Sequence, residues 1–156
     1  MQEIDNIDRA IVNLLMEDGR MASAEVARRI GNVSERVVRY RIENLVEKDV
    51  VQITAIPNPK KFGFAVLADV KVIVESGLVR EVADKLVGYD CVTYVGCSIG
   101  ETDLGIQIVA KTNEALYSFI TEVVGKIPGV QKTTTMIVPL ILKDIYQWSV
   151  PKLDNV

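Results

Sequence analysis

The sequence predicts an α+β protein in two parts, three short helices followed by a β-α-β-β-α-β sandwich. Up to Val46, apolar residues recur at helical spacing, and beyond Val50 they alternate at strand spacing, interrupted twice by a helical pattern. Between these regimes stands Pro57-Asn58-Pro59-Lys60-Lys61, where each proline lacks an N–H and biases the residue before it to extended geometry. At 156 residues and 49% apolar content, the chain can bury one ordinary core or two small ones.

The first helix is expected to start at an Asp5 cap, to carry Ile7, Ile11, Leu14 and Leu15 at i, i+4, i+7 and i+8, and to end at Gly19. A second is expected to be capped by Ser23 and to turn Val26, Ala27 and Ile30 inward. Gly31-Asn32-Val33 then supplies a tight turn into Ser34, the cap of a third helix. In that helix Val38, Ile42, Leu45 and Val46 form the packing stripe, while Glu35, Arg36, Arg39, Tyr40 and Glu43 lie opposite. Two short helices joined by three turn residues, the second with a basic outer face, make a helix-turn-helix. The β-branched run from Val50 to Ile56 reads as a wing strand.

Beyond the prolines, a strand is expected from Phe64 to Val74 with Phe64, Val66, Ala68, Val70, Val72 and Val74 on one face. A helix bearing Leu78, Val82, Ala83 and Leu86 follows, then strands from Cys91 to Ser98 and from Leu104 to Ala110. Thr112 or Asn113 caps a helix with Leu116, Phe119, Ile120, Val123, Val124 and Ile127 as its apolar set, and a last strand runs from Val130 to Leu142. The fold class is therefore an N-terminal winged helix-turn-helix followed by a ferredoxin-like βαββαβ sandwich. Its expected boundaries are 1–56 for the first domain, 57–63 for the hinge, 64–145 for the sandwich and 146–156 for a C-terminal tail. Two helices cover one face of such a sheet, so the other is expected to bury itself against a second copy of the chain.

A net charge of -3 excludes a uniformly basic nucleic-acid binder. From Arg20 to Arg41, however, six Arg stand against two Glu, a local net charge of +4, as expected if one small region approaches phosphates. No apolar run reaches the roughly 20 residues of a membrane span, and acids stand where a signal peptide carries Lys or Arg, so a cytoplasmic protein is expected. Cys91 and Cys97 lie roughly 20 Å apart along one strand, too far to bridge, and are expected to be buried thiols. There is no histidine, which removes the usual general base and the commonest metal ligand. Gly96-Cys97-Ser98-Ile99-Gly100 matches the G-x-S-x-G nucleophile elbow, but without histidine or a following helix it is not expected to catalyse. No P-loop, complete dinucleotide fingerprint or metal spacing occurs, so no cofactor, metal or enzymatic role is expected.

These residues carry a resemblance to the Lrp/AsnC (feast/famine) family of transcriptional regulators. It rests on Asp5 to Asp8, Asp18-Gly19-Arg20, Ala27-Arg28-Arg29-Ile30-Gly31, Ser34 through Val38 to Arg41-Ile42 and Leu45, Gly100-Glu101-Thr102-Asp103, and Ile127-Pro128-Gly129-Val130. Their order and spacing over about 140 residues agree at every level. Three departures stand out: Asn32-Val33 where many members have one apolar residue, Asp49 in place of a glycine, and Thr102 in place of an aromatic residue.

The resemblance implies an oligomeric, sequence-specific regulator binding double-stranded DNA, with Arg36, Arg39 and Tyr40 at base edges or nearby phosphates and Ser34 and Glu35 near the backbone at the helix start. Arg20, Arg28 and Arg29 are candidate phosphate contacts. Arg41 is either a DNA contact or half of a structural pair with an acid. The resemblance also implies a dimer, extending to a tetramer of dimers, and an amino acid or related metabolite as effector. Gly100, Thr102 and Asp103 are its candidate site, with Asp103 meeting the ammonium group; the alternative is that they only shape a β-turn. The nucleoid is the implied place of work. Other readings are a stand-alone metabolite sensor, an effector-independent architectural DNA-binding protein and, most remotely, an enzyme like the sirohaem decarboxylases, which share the architecture.

Overall fold

The computed structural model describes residues 4–153; the outermost ends of the expected first domain and tail lie outside the described residues. The chain forms two compact units, one of Met1–Ile56 with Leu142–Val156, the other of Pro57–Ile141.

In the first unit, α1 (Asn6–Glu17) begins with a reciprocal cap. Asp5 accepts from the N–H groups of Ile7 and Asp8, and the Asp8 carboxylate accepts the Asp5 N–H, satisfying donors that helix formation orphans. α2 spans Ser23–Ile30. Its cap is Ala22, not the expected Ser23, because the Val26 N–H closes the first turn onto the Ala22 carbonyl, one residue earlier. Gly31 (φ 70°) and Asn32 (φ 51°) take left-handed geometry, which lets the chain reverse in so few residues. α3 (Glu35–Glu47) starts at Ser34, whose hydroxyl accepts from the Val37 N–H. It is capped at Lys48 and the chain turns at Asp49 (φ 54°), after which the N–H groups of Val50 and Val51 both reach the Leu45 carbonyl.

Ile11, Leu15, Val26, Val38 and Leu45 make the core of this unit, with Ile7, Leu14, Ala27, Ile30, Ile42 and Val51 packed around them. Val46, expected in the stripe, is exposed, because Leu45 takes the last inward position of the helix. The expected wing strand is also corrected: residues 50–56 form no strand and have no ladder partner among the described residues, and Val50, Ile53 and Ile56 stay exposed. An extended run becomes a strand only when a second backbone meets its N–H and C=O groups.

The second unit is an antiparallel sheet of order β2-β3-β1-β4, built from β1 (Val66–Val74), β2 (Val92–Cys97), β3 (Leu104–Ala110) and β4 (Val130–Ile137), with α4 (Val79–Val87) between β1 and β2. The helix after β3 caps on Thr112, as expected, but is not uniform. α5 (Asn113–Ser118) opens into a π turn at Phe119–Val123 and closes in a 3₁₀ turn at Val124–Lys126, keeping Leu116, Ile120, Val124 and Ile127 buried. Phe119 meets Tyr89 edge to face, with centroids 5.2 Å apart. The helices cover the face that carries Ala68, Val70, Val72 and Val74.

Three expectations change here. β4 ends at Ile137, not Leu142: the Val138 N–H reaches Leu67, near the start of its partner strand, and Pro139 has no N–H to continue the ladder. An irregularity between Val92 and Tyr94 shifts the β2 register, so even spacing no longer puts Cys91 and Cys97 on one face. Cys91 is half-buried, but Cys97 is exposed, and both are free thiols. The uncovered sheet face carries Asp69 bonded to Gln107, and Tyr94 and Met136 are exposed.

Leu86→Ala, at a fully buried position, is expected to cost about 2–5 kcal/mol in denaturant unfolding of the second unit. Gly129→Ala is expected to cost more than about 1 kcal/mol, since φ is +95° and an added methyl would stand 2.9 Å from Leu78 Cδ1.

Candidate nucleic-acid interface and effector turn

α3 divides as its spacing requires. Val38 and Leu45 are buried against α1 and α2, while Ser34, Glu35, Arg36, Arg39 and Tyr40 are exposed. Arg39 pairs with Glu35 one turn earlier. Arg36 makes no hydrogen bond or ion pair among the described residues, so its guanidinium keeps all its donors.

Arg41, on the same helix, is held differently. Its Nη1 donates to both carboxylate oxygens of Asp5, at 2.9 and 2.8 Å, and to Asp8 Oδ1 at 2.9 Å. The Asp8 bond, then the Asp5 bonds, push the guanidinium pKa further up, against the opposing effect of desolvation. Desolvation pushes the Asp5 carboxyl up, but the Asp8 N–H and Arg41 together hold it below the ordinary value of 3.8. Of the two roles open to Arg41, it thus occupies the structural pair. Asp8 is the buried charged residue of the described chain, and nothing in its local spacing marks it as a partner for a residue 33 positions away.

The other candidate phosphate contacts are surface arginines. Arg20 is almost fully exposed, 3.7 Å from Asp18. Arg28 donates to Glu25 at 2.6 and 2.8 Å, and Arg29 to Glu25 at 3.1 Å and Glu17 at 2.7 Å. Bonds from Arg28, then Arg29, bring the Glu25 carboxyl down to about 2. The basic island counted along the chain is therefore more neutral in space, because Glu17, Asp5 and Asp8 lie outside the counted window.

The candidate effector residues sit in the turn from β2 to β3. Gly100 takes φ 143°, a conformation that favours glycine, and is exposed beside Ile99 at the tip. The Ser98 hydroxyl donates to the Thr102 carbonyl at 2.7 Å, so the residue at the centre of G-x-S-x-G ties the connection between two strands and is not the strand-to-helix turn of a nucleophile elbow. Asp103 fastens the turn to the sheet: its Oδ2 accepts the Val74 N–H at 2.8 Å and its own N–H donates to Val72 at 3.1 Å. Among the described residues no group of His, Cys, Asp and Glu could hold a metal ion.

Residues 4–46 match the family model of the AsnC-type helix-turn-helix domain, and residues 67–147 that of the Lrp/AsnC ligand binding domain. The chain belongs to the Lrp/AsnC family of transcriptional regulators. An HTH-type transcriptional regulator of Pyrococcus horikoshii is 39% identical over 142 residues, 90% of this chain and 89% of its own. The HTH-type transcriptional regulator FL11 of Pyrococcus abyssi is 38% identical over 136 residues, 86% and 89% of the two chains. Among solved structures, Escherichia coli AsnC matches with a TM-score of 0.82 at 28% identity, over 92% of this chain and 99% of its own. A Neisseria meningitidis transcriptional regulator in complex with L-Met matches with a TM-score of 0.86 at 24% identity, over 96% and 97%. As an Lrp/AsnC member, the chain is a DNA-binding transcriptional regulator, a non-enzymatic role, and its Gly100–Asp103 turn lies inside the stretch matched by the ligand-binding domain.

Arg41→Ala is expected to lower the stability of the N-terminal unit by about 1.5–3 kcal/mol, since it strips a charged hydrogen-bond partner from two carboxylates. Because the Asp5 pKa is depressed, its contribution is complete above the ordinary carboxylate value and is lost as pH falls through the depressed one. Acid titration of thermal stability is expected to show this limb in the parent and a flatter one in Arg41→Ala.

Proposed function

We propose that α3 enters the major groove of duplex DNA with Arg36, Arg39 and Tyr40 at base edges or adjacent phosphates, and Ser34 and Glu35 near the backbone at the helix start. The observation that carries this reading is the division of α3. The three side chains are exposed on the face opposite Val38 and Leu45, Arg36 without a partner among the described residues and Arg39 paired only with the equally exposed Glu35, whereas Arg41 is retained by Asp5 and Asp8 and acts by holding the helix in place. Arg20, Arg28 and Arg29 flank the groove as phosphate contacts, exchanging their carboxylate partners for the DNA backbone.

In this reading residues 1–56 are the DNA-binding domain, 57–63 the hinge, 64–145 the effector and dimerisation domain and 146–156 the tail. The protein works at the nucleoid in the cytoplasm. It dimerises through the sheet face that the helices leave open, and dimers assemble further into a tetramer of dimers. The effector is an amino acid or related small metabolite, taken at the turn of Gly100, Thr102 and Asp103, with the spare oxygen of Asp103 available to an ammonium group. The Neisseria relative, whose structure is a complex with L-Met, supports this class.

Selection of bound genomic fragments, with and without each amino acid, tests the whole reading. Arg36→Ala or Arg39→Ala is expected to cost about 1–3 kcal/mol and to relax specificity at one position, whereas unchanged binding curves for both would end the groove assignment. Arg28→Ala is expected to weaken binding alike on all sequences and to reduce the salt slope by about 1. Calorimetry against the twenty amino acids is expected to give heat for at least one, lost in Asp103→Ala; heat for none would leave a DNA-binding protein without an amino-acid effector.

A further inference from the structure

The outer side of α1 presents Asn6, Arg9 and Asn13 at i, i+3 and i+7, one polar stripe away from the core. A stretch of the chain's own C-terminal segment lies along it. The Asn13 side-chain amide pairs with both backbone groups of Val150, donating to its carbonyl at 3.0 Å and accepting its N–H at 2.8 Å. Arg9 Nη1 donates to the Pro151 carbonyl at 2.8 Å, and Asn6 Oδ1 accepts the Leu153 N–H at 2.8 Å. These four bonds read main-chain groups in order, with the segment running antiparallel to the helix. Pro151 has a fixed φ and biases Val150 to extended geometry, so little conformational freedom is lost on docking. A turn closed between Asp144 and Gln147 aims the segment at the helix.

The segment belongs to the N-terminal unit although the chain reaches it only after passing through the whole second unit, which it enters at Pro57 and leaves at Ile141. We propose that residues 149–153 are a strap that docks on α1 and gives the DNA-binding unit a second, breakable attachment to the effector unit. While the strap is docked, the effector unit is an insertion held at both ends; once it is released, only the hinge joins the two. The docking is built to be reversible. The bonds from Arg9 and to Asn6 are open to solvent, and Arg9 Nε is buried with no hydrogen-bond partner. On the proposed reading that the second unit takes a small-molecule effector, its binding has a second route to the DNA-binding helices besides the hinge.

The test uses the full-length protein and its single tryptophan, Trp148, half exposed beside the strap. Asn13→Leu removes both bonds to Val150 while favouring the helix, and Val150→Pro removes a donor outside every helix, so that the test survives if the first variant fails to fold. In both, time-resolved anisotropy of Trp148 is expected to gain a nanosecond-scale component. Tryptic cleavage after the exposed Lys60 and Lys61 of the hinge is expected to accelerate about three-fold or more, as cleavage follows the population of open conformations. Parent-like anisotropy in both variants would overturn the docked strap. A freed Trp148 with an unchanged rate of hinge cleavage would overturn its role as a second attachment.

Discussion

The arginine at position 41 does the work on which the geometry of the first unit depends. A helix-turn-helix presents its third helix usefully only if that helix is fixed against the first, and five buried aliphatic side chains make a small core for that task. Hydrophobic packing sets distance but is non-directional, whereas a guanidinium shared by two carboxylates fixes rotation as well. Asp5 and Asp8 are also the reciprocal cap of α1, so one pair of side chains both starts that helix and orients α3. Two adjacent carboxylates would repel each other, and Arg41 is what makes their proximity stabilising.

The second unit solves a similar problem with backbone groups. β1 is central, paired on one side with β3 and on the other with β4, and its alternation puts valines under the helices. Asp103 ties the β2–β3 turn to the end of this strand through Val72 and Val74.

Much of this was legible along the chain. The caps at Asp5, Ser34 and Thr112 and the tight turn at Gly31-Asn32 are encoded within three or four residues, the range over which hydrogen bonding and sterics act in a helix or turn, and the order βαββαβ follows from the alternation of such local patterns. The misplaced features share another character. The wing at 50–56 and the far end of β4 have strand-like composition, but strand formation depends on a partner backbone that composition does not record. Periodicity points Val46 inward, which holds only until a helix ends, and the packing habit of thiols does the same for Cys97, which is exposed at the end of a strand whose register slips. The widened turn after Ser118 left no mark in a stripe that reads as continuous helix.

The sequence by itself determined the fold class and the face of α3 that meets its surroundings, since both follow from local periodicity and the placement of turn residues. Only the tertiary structure decided what each charge does. Arg36 stays free, Arg28 and Arg29 share Glu25, and Arg41 reaches back to Asp5 and Asp8. A charge along a chain can be counted, but its partner is chosen by folding, which brings together groups 12, 33 or 36 residues apart. The same holds for the C-terminal segment, whose polar and aliphatic residues carry no periodic signal and acquire a place only when α1 offers its side chains to their backbone.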